Sequence, residues 1–260
     1  MSNLSRKFLG MAMVMARHPQ WVPYYGINFI RRRKAKAYLP TGEQRSVEEA
    51  VLLLGIAGRH EVHCAWQDVP PMPEVQQNVL YGAPNASAEL YSLCYVLSKV
   101  KKPAYVVETG VAYGFTSSAI LSALTQNSAG DLYSVELPQL APGADEAVGA
   151  AVARSLTHRW HLLLGPSGLV LPRLLSYLPK VDIFIHDADH TYDSQSAEYT
   201  SVWPRLSPGG ILVSDDVVNR AFEDFAERHG VQPVFIGQHK GGPIGVLKKP
   251  ETAVGRVGAL

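Results

Sequence analysis

Residues 104–116 read Ala-Tyr-Val-Val-Glu-Thr-Gly-Val-Ala-Tyr-Gly-Phe-Thr, an apolar run that ends in a glycine-containing turn and leads into a helical pattern. Such a run followed by a turn and a helix is typical of one strand–helix unit of a parallel sheet. In the turn, Gly110 and Gly114 let backbone N–H groups and the helix N-terminus approach an anionic or highly polar ligand closely. The spacing of the two glycines alone is also compatible with a tight turn that binds nothing.

The same alternation of apolar runs and helical patterns continues to the end of the chain, which predicts a Rossmann-like, doubly wound α/β sheet of seven strands. The last two runs are separated only by residues 237–243, which are too few for a crossover helix, so we predict an antiparallel last strand in a mostly parallel sheet. The predicted strands are 104–108, 132–137, 161–164, 181–186, 210–214, 233–236 and 244–247, and the predicted helices are 116–126, 145–159, 169–178, 194–206 and 217–229.

The segment 1–80 is less regular, and we predict that it forms a mainly helical N-terminal extension to a main domain at 81–260. Residues 1–45 contain nine Lys and Arg but one acid, whereas the rest of the chain has 15 basic and 22 acidic residues. The run Arg-Arg-Arg-Lys-Ala-Lys at 31–36 follows several aromatic residues, among them Trp21 and Tyr25. This pattern suits peripheral contact with an anionic membrane or a lipid-linked substrate, and we expect no nucleic-acid partner. The alternative is a solvated helix whose aromatics pack on the main domain or on a second subunit.

Composition indicates a folded globular protein, with 47% hydrophobic and 18% charged residues. No apolar run reaches the roughly 20 residues that span a bilayer. The apolar run at 8–16 is followed by Arg17-His18-Pro19 instead of a small-residue cleavage site. Cys64 and Cys94 form no metal-ligand spacing, which suits a reducing compartment. We therefore expect a cytoplasmic location, with contact to a membrane surface left open.

Carboxylates follow the fourth and fifth predicted strands. Asp187 comes directly after the fourth strand, and the pair Asp215-Asp216 follows the fifth. These acids would meet at one edge of the sheet, where a hard cation such as Mg²⁺, or else Mn²⁺ or Ca²⁺, would neutralise them. The alternative is that each acid caps the helix after it. His190 lies beside the acids and is a candidate general base, although single surface histidines are common.

Two further polar residues end strands at the same predicted edge. Glu136 lies at the end of the second strand, as Glu108 does at the end of the first, and a carboxylate at that strand end can accept both hydroxyls of a ribose. The alternative is a solvated acid. Ser167 follows the third strand in the sequence Gly-Pro-Ser, where it would border an adenine. These positions predict a nucleoside-like ligand at the carboxyl ends of the strands.

At these residues, the chain resembles the metal-dependent class I O-methyltransferases, which include catechol, caffeoyl-CoA and macrolide-sugar enzymes. The resemblance covers the segment 84–249. Its most specific element is the spacing from Asp187 to Asp215, because that family places a metal-binding Asp after strand four and an Asp-Asp or Asp-Asn pair at the same spacing beyond it. The motifs that carry it lie at 107–116, 134–136, 165–167, 184–189, 206–210 and 213–216.

The resemblance implies an S-adenosylmethionine-dependent enzyme that methylates a hydroxyl of a small molecule, such as a sugar or another natural-product scaffold, and that forms a homo-oligomer. It implies that Glu108 and Thr116, with the turn at Gly110 and Gly114, hold the methionine end of the cofactor. Glu136 then holds the ribose and Ser167 borders the adenine, while Asp187, Asp215 and Asp216 bind the metal.

One position departs from the family. The catechol branch has a lysine base three residues after the first metal-binding Asp, and this chain has His190 there. In the sugar-modifying branch the metal-binding Asp takes the proton, so Asp187 competes with His190 for the role of base. A nicotinamide-dependent oxidoreductase is the alternative enzyme class, but the turn lacks the Gly-x-Gly-x-x-Gly spacing. A non-enzymatic protein bound to membranes through the basic segment is the third possibility.

Overall fold

A computed structural model describes residues 3–32, 38–75 and 86–251. In this part of the chain, a mixed sheet has the strand order β1-β7-β8-β6-β5-β2-β3-β4 and carries helices on both faces. The predicted doubly wound α/β fold is therefore confirmed. The strands are β1 Gln44–Arg45, β2 Tyr105–Thr109, β3 Asp131–Glu136, β4 Trp160–Leu164, β5 Val181–His186, β6 Leu206–Ser214, β7 Val234–Ile236 and β8 Ile244–Lys248.

The sheet has eight described strands, so the predicted number of seven was wrong. The additional strand is β1, which pairs in parallel with β7 at one edge of the sheet. It contains only Gln44 and Arg45, and two polar residues carry no apolar pattern by which a strand can be recognised. The other seven lie where the sequence predicted them. The last strand, β8, is antiparallel to both β6 and β7, which confirms the predicted hairpin.

The helices follow the predicted alternation, with one correction. The predicted helix at 145–159 was wrong, because that segment forms only the short α7 and a later 3₁₀ turn at Arg154–Arg159. Gly149 has a φ of +76° and lies against Trp160, so that a Cβ there would be 2.1 Å from the indole ring. The helices are α1 Asn3–Arg17, α2 Val22–Arg32, α3 Val47–Leu53, α4 Arg59–Gln67, α5 Ala88–Lys101, α6 Phe115–Gln126, α7 Ala144–Ala147, α8 Ser167–Tyr177, α9 Tyr192–Val202 and α10 Ala221–His229.

Two apolar layers hold the sheet between the helices. Every residue of β5 is buried, and successive side chains point to opposite faces. Ile183 and Ile185 pack with α5 and α6, whereas Phe184 packs with α8, α9 and α10. Helices α3 and α4 contribute Val47 and Val62 to the first of these layers. The central strands are therefore covered on both faces, and polar side chains collect where the strands end.

The N-terminal part of the chain, up to Gln67, contributes helices α1 to α4 and the short strand β1. Its basic run at 31–36 lies outside the side chains that the structure describes, so contact of this run with a membrane stays a prediction. Among the described residues, no helix is long and apolar enough to cross a membrane. The boundary between an extension at 1–80 and a main domain at 81–260 also stays a prediction.

Candidate active site

The carboxyl ends of β2, β5 and β6 lie side by side at one edge of the sheet. His186, the last residue of β5, pairs with Thr109 of β2 and with Ser214 of β6. The next residues extend this alignment, because the Asp187 N–H donates to the carbonyl oxygen of Thr109 at 2.8 Å and the Asp215 N–H donates to that of His186 at 2.9 Å. The strand order reverses between β5 and β2, and open α/β sheets bind ligands at such a point.

The glycine turn after β2 lies directly against this edge. Gly110 has a φ of +85°, and a Cβ there would be 1.9 Å from the carbonyl oxygen of Asp187. Gly114 has a φ of +83°, and a Cβ there would be 2.9 Å from the Cα atom of Gly149. Both positions need glycine, because a side chain would meet backbone in a conformation that other residues rarely adopt. The turn predicted to hold the cofactor and the first acid of the cluster are therefore in contact.

Glu108 lies inside the protein at the start of this turn. Its carboxylate is fully buried and accepts hydrogen bonds from the hydroxyls of Thr116 at 2.6 Å, Ser117 at 2.7 Å and Ser134 at 2.8 Å. Burial raises the pKa of Glu108, and the three hydroxyl donors oppose that rise. In this structure, Glu108 and Thr116 bind each other beneath the turn. Their contact with the methionine end of the cofactor stays a prediction.

Glu136 lies at the end of β3, at the predicted edge. Its carboxylate accepts hydrogen bonds from the N–H groups of Val111 at 2.5 Å and Ala112 at 3.1 Å, and it thereby braces the glycine turn. Burial raises the pKa of Glu136 to about 7, although the two N–H donors act in the opposite direction. The role of Glu136 in ribose binding stays a prediction, but its carboxylate lies next to the turn as that role requires.

A buried polar network that the sequence did not reveal lies under the same edge. Glu198 of α9 accepts a hydrogen bond from the hydroxyl of Thr109 at 2.5 Å and interacts with His186 Nδ1 at 2.7 Å. The hydroxyl of Ser167, which was predicted to border the adenine, also donates to Glu198. Burial alone would raise the pKa of Glu198, but His186 and the hydroxyl donors hold it below its usual value. The contact of Ser167 with adenine stays a prediction.

Three of the predicted site residues converge in space. Asp187, His190 and Asp215 each offer one ligand atom, and these atoms all lie within 4.8 Å of one another. A cation bound by oxygen ligands at about 2.0–2.6 Å separates two ligand atoms by at most about 4–5 Å. The group is thus compact enough for one cation, and its two carboxylates, Asp187 and Asp215, are donors of the kind that Mg²⁺, Mn²⁺ or Ca²⁺ accepts. The metal set itself, Asp187, Asp215 and Asp216, stays a prediction.

Burial and mutual repulsion raise the pKa values of Asp187 and Asp215. Burial and the neighbouring Asp215 raise the pKa of Asp187 well above its ordinary range. Burial and the charge of Asp216 raise the pKa of Asp215 from 3.8 to about 6. Two carboxyl groups that share a site cannot both be charged at low cost unless a positive charge is present. The electrostatics of the cluster therefore fit a bound cation.

The third acid, Asp216, lies beside this group. Its Oδ2 atom is 3.9 Å from His190 Nε2, and the same nitrogen is 3.8 Å from Asp187 Oδ1. Its Oδ1 atom accepts a hydrogen bond from the N–H of Gly242 at 2.5 Å. The structure thus brings all three predicted acids and His190 to one place, with Asp187, His190 and Asp215 as the tightest group.

Aromatic residues of the N-terminal extension pack on the loops after β3 and β4. The Tyr25 hydroxyl donates to the carbonyl oxygen of Pro138 at 2.6 Å, and burial raises the Tyr25 pKa. Trp21 is only 8% exposed and lies at Gly165, where a Cβ would be 3.5 Å from the indole nitrogen. For Trp21 and Tyr25, the structure matches the alternative in which the aromatics pack on the main domain. The sequence did not predict that Trp21 and Tyr25 lie at the loops that follow β3 and β4.

Comparison with known proteins shows which proteins the chain is similar to. Residues 107–217 match a family model described as a methyltransferase domain. No curated protein sequence matches the chain significantly. Among solved structures, an O-methyltransferase from Bacillus cereus in complex with S-adenosylhomocysteine is 15% identical, with a TM-score of 0.53 over 78% of this chain and 97% of that one. An O-methyltransferase of tomaymycin synthesis from Streptomyces achromogenes, in complex with S-adenosylmethionine, is 16% identical, with a TM-score of 0.53 over 85% and 94%.

These matches agree on the fold. At such identities the two solved structures establish the Rossmann-like methyltransferase architecture and no more. The family model covers the glycine turn, Glu136, Ser167 and both acidic strand ends, so it spans the candidate site. The nicotinamide-dependent alternative is not favoured.

Proposed function

We propose that this chain, an S-adenosylmethionine-dependent methyltransferase of class I, methylates a hydroxyl oxygen of a small molecule with the help of a divalent cation. The observation that carries the proposal is the convergence of Asp187, His190 and Asp215 within 4.8 Å, in contact with the glycine turn at Gly110. The two solved O-methyltransferases support oxygen as the acceptor atom. When bound, S-adenosylmethionine supplies a sulfonium methyl group that is already activated for transfer.

The residues around the glycine turn would hold the cofactor. The N–H groups of Val111 and Ala112 donate to Glu136 in this structure. Glu136 would exchange one of these turn contacts for the ribose hydroxyls. Glu108 and Thr116 lie beneath the turn and would fix its shape or reach the methionine end. This division of roles would bring the methyl group near Asp187, because Gly110 and Asp187 are in contact.

The acid cluster would hold the cation through Asp187, Asp215 and Asp216. A divalent cation orients a hydroxyl group and lowers its pKa as a Lewis acid. Holding that oxygen in line with the methyl carbon would add to the rate, because it brings the reacting atoms together in a productive orientation. When bound, the cofactor would supply its methyl group to the acceptor oxygen and would be left as S-adenosylhomocysteine.

The proton of the acceptor hydroxyl would pass to His190 or to Asp187. His190 Nε2 lies 3.8 Å from Asp187 Oδ1, so both groups face the same space. Position 190 is His instead of the lysine of the catechol-type pattern, which leaves the base role to His190 or Asp187. The acceptor that we propose is of the sugar or natural-product class. The tomaymycin-synthesis enzyme among the structural neighbours supports the same acceptor class.

The proposal is tested by S-adenosylhomocysteine formation with a panel of sugars, catechols and other polyols, in Mg²⁺ and in EDTA. We expect turnover that EDTA abolishes. The double variant Asp215→Ala/Asp216→Ala should lose turnover and keep its affinity for S-adenosylhomocysteine. Turnover that is equal in EDTA and in Mg²⁺ would refute the role of the cation.

Membrane contact through residues 1–45 and assembly into a homo-oligomer remain separate proposals. The basic run at 31–36 supports the first, because each basic residue near an anionic surface contributes about 1 kcal/mol. Replacing the basic residues of this run by Ser should reduce cosedimentation with phosphatidylserine vesicles. Equal pelleting of the variant and the unaltered chain would remove the membrane proposal.

A further inference from the structure

The loop between β7 and β8, residues 237–243, reaches across to the acid cluster. The Gln238 side-chain amide donates to Asp215 Oδ1 at 2.9 Å, and the Gly242 N–H donates to Asp216 Oδ1 at 2.5 Å. The carbonyl oxygen of Pro243 also accepts a hydrogen bond from the Val217 N–H at 2.9 Å. One oxygen of each acid in the pair is therefore bound by the loop.

The amide of Gln238 is itself held in one orientation. Its Nε2 atom donates to the Gly242 carbonyl oxygen as well as to Asp215. The amide thus bridges the two ends of the loop and one carboxylate. A side chain restrained in this way loses little further freedom when its partner binds a ligand, so the carboxylate is held in a defined position before a ligand arrives.

The loop approaches Asp216 so closely that position 241 needs glycine. Gly241 has a φ of +88°, and a Cβ there would be 2.3 Å from Asp216 Oδ1. The loop is also tied on its far side, where His239 Nδ1 lies 2.5 Å from Glu89 Oε1 at the start of α5. Contacts on both sides fix the loop between helix α5 and the acid cluster.

We propose that loop 237–243 positions the metal-binding acids, with Gln238 as the residue that orients Asp215. The loop engages Oδ1 of Asp215 and Oδ1 of Asp216, which leaves the second oxygen of each acid for the space shared with Asp187 and His190. Asp216 follows this arrangement, because its Oδ2 atom is the one that lies 3.9 Å from His190 Nε2. This inference rests on the proposed cation site and assigns to it a residue outside the acidic motifs.

The predicted effect is that of a lost hydrogen bond to a metal ligand. Such partners usually contribute about 10–100-fold to metal affinity. The substitution Gln238→Met removes the donor and keeps a long, unbranched side chain of similar size. Gln232→Met is the matched control, because Gln232 is exposed and precedes the same strand, β7, at its opposite end.

The experiment measures Mn²⁺ binding to the full chain by electron paramagnetic resonance, without S-adenosylmethionine. We expect Gln238→Met to weaken Mn²⁺ binding at least about tenfold, with an unchanged dissociation constant for S-adenosylhomocysteine and a cooperative melting transition in EDTA. The control Gln232→Met should bind Mn²⁺ as the unaltered chain does. Gly241→Ala should weaken Mn²⁺ binding in the same direction, since its Cβ would displace Asp216.

The outcomes separate this inference from the proposed function. If the unaltered chain binds no Mn²⁺, the cation site itself is refuted. If the unaltered chain binds Mn²⁺ and Gln238→Met binds it equally well, the positioning role of Gln238 is overturned and the cation site stands. A loss of Mn²⁺ binding that is matched by an equal loss in S-adenosylhomocysteine affinity would mean that Gln238 supports folding and not the position of Asp215.

Discussion

Replacing Asp215 by Asn should stabilise the protein in the absence of divalent cations. Burial and the neighbouring Asp216 raise the pKa of Asp215 from 3.8 to about 6. This difference corresponds to about 3 kcal/mol by which the charged carboxylate disfavours the folded state. The substitution removes the charge and keeps an oxygen that can still accept the hydrogen bond from Gln238, so we expect a gain of about 1–3 kcal/mol in the free energy of unfolding.

The pH dependence gives the sign of this effect. Well below pH 3.8, Asp215 is protonated in the folded and the unfolded chain alike, and its charge costs nothing. As the pH rises through the unfolded value, only the unfolded chain readily loses the proton, so stability falls until the pH passes the folded value of about 6. The gain from Asp215→Asn is therefore small near pH 4 and nearly complete above about pH 6.

Thermal unfolding in EDTA at pH 4 and at pH 7.5 measures this gain. For a protein of this size, each kcal/mol shifts the melting temperature by about 2–4 °C. Asp68→Asn is the control, because Asp68 is exposed at the end of α4, far in sequence from the cluster. In saturating Mn²⁺, the unaltered chain should have the higher melting temperature, because only it keeps the charged ligand. A variant that is less stable than the unaltered chain at pH 7.5 in EDTA would refute the reasoning.

Three other substitutions, one of them with a matched control, test the glycine turn, the base and the packing of the N-terminal helices. Gly110→Ala should lower the affinity for S-adenosylhomocysteine at least about tenfold in calorimetry, whereas Gly230→Ala, which also has a positive φ but meets no atom within 4 Å, should cost about 1–2 kcal/mol of stability and leave that affinity unchanged. His190→Ala should lower the turnover rate more than it weakens cofactor binding; an unaltered rate would assign the base role to Asp187. Trp21→Ala should raise hydrogen exchange at residues 9–25 without changing it in β5, and equal exchange would show that Trp21 does not hold the extension.

Most of the sheet could be predicted because its signals are local. The apolar runs that form β2 and β5 are bounded by polar or glycine residues, and the shortness of the segment 237–243 allowed only a hairpin. The strand β1 had no such signal, since two polar residues pair with β7 only through the backbone. The prediction for 145–159 was wrong because the composition of that segment favours a helix, whereas the packing of Gly149 on Trp160 interrupts it.

The acid cluster could be predicted because parallel strands end at one edge, so residues that follow adjacent strands must be neighbours. This reasoning places Asp187 and Asp215 together from the sequence alone. The position of Gln238 beside the acids follows from the same rule. Strand β7 runs in the same direction as β6, so its end reaches the same edge of the sheet. The glycines of loop 237–243 were the signal in the sequence that this loop comes close to other backbone or side-chain atoms. In contrast, Glu198 lies in the middle of α9, and no spacing in the sequence links it to His186.

A crystal structure of the full chain with S-adenosylhomocysteine and Mn²⁺ tests the central claim most directly. We expect an anomalous difference peak within about 2.0–2.6 Å of oxygens from Asp187 and Asp215, on the same side of the sheet as the sulfur atom of the cofactor. A well-ordered cofactor at the glycine turn with no anomalous peak between these acids would contradict the account, even though the fold would be unchanged.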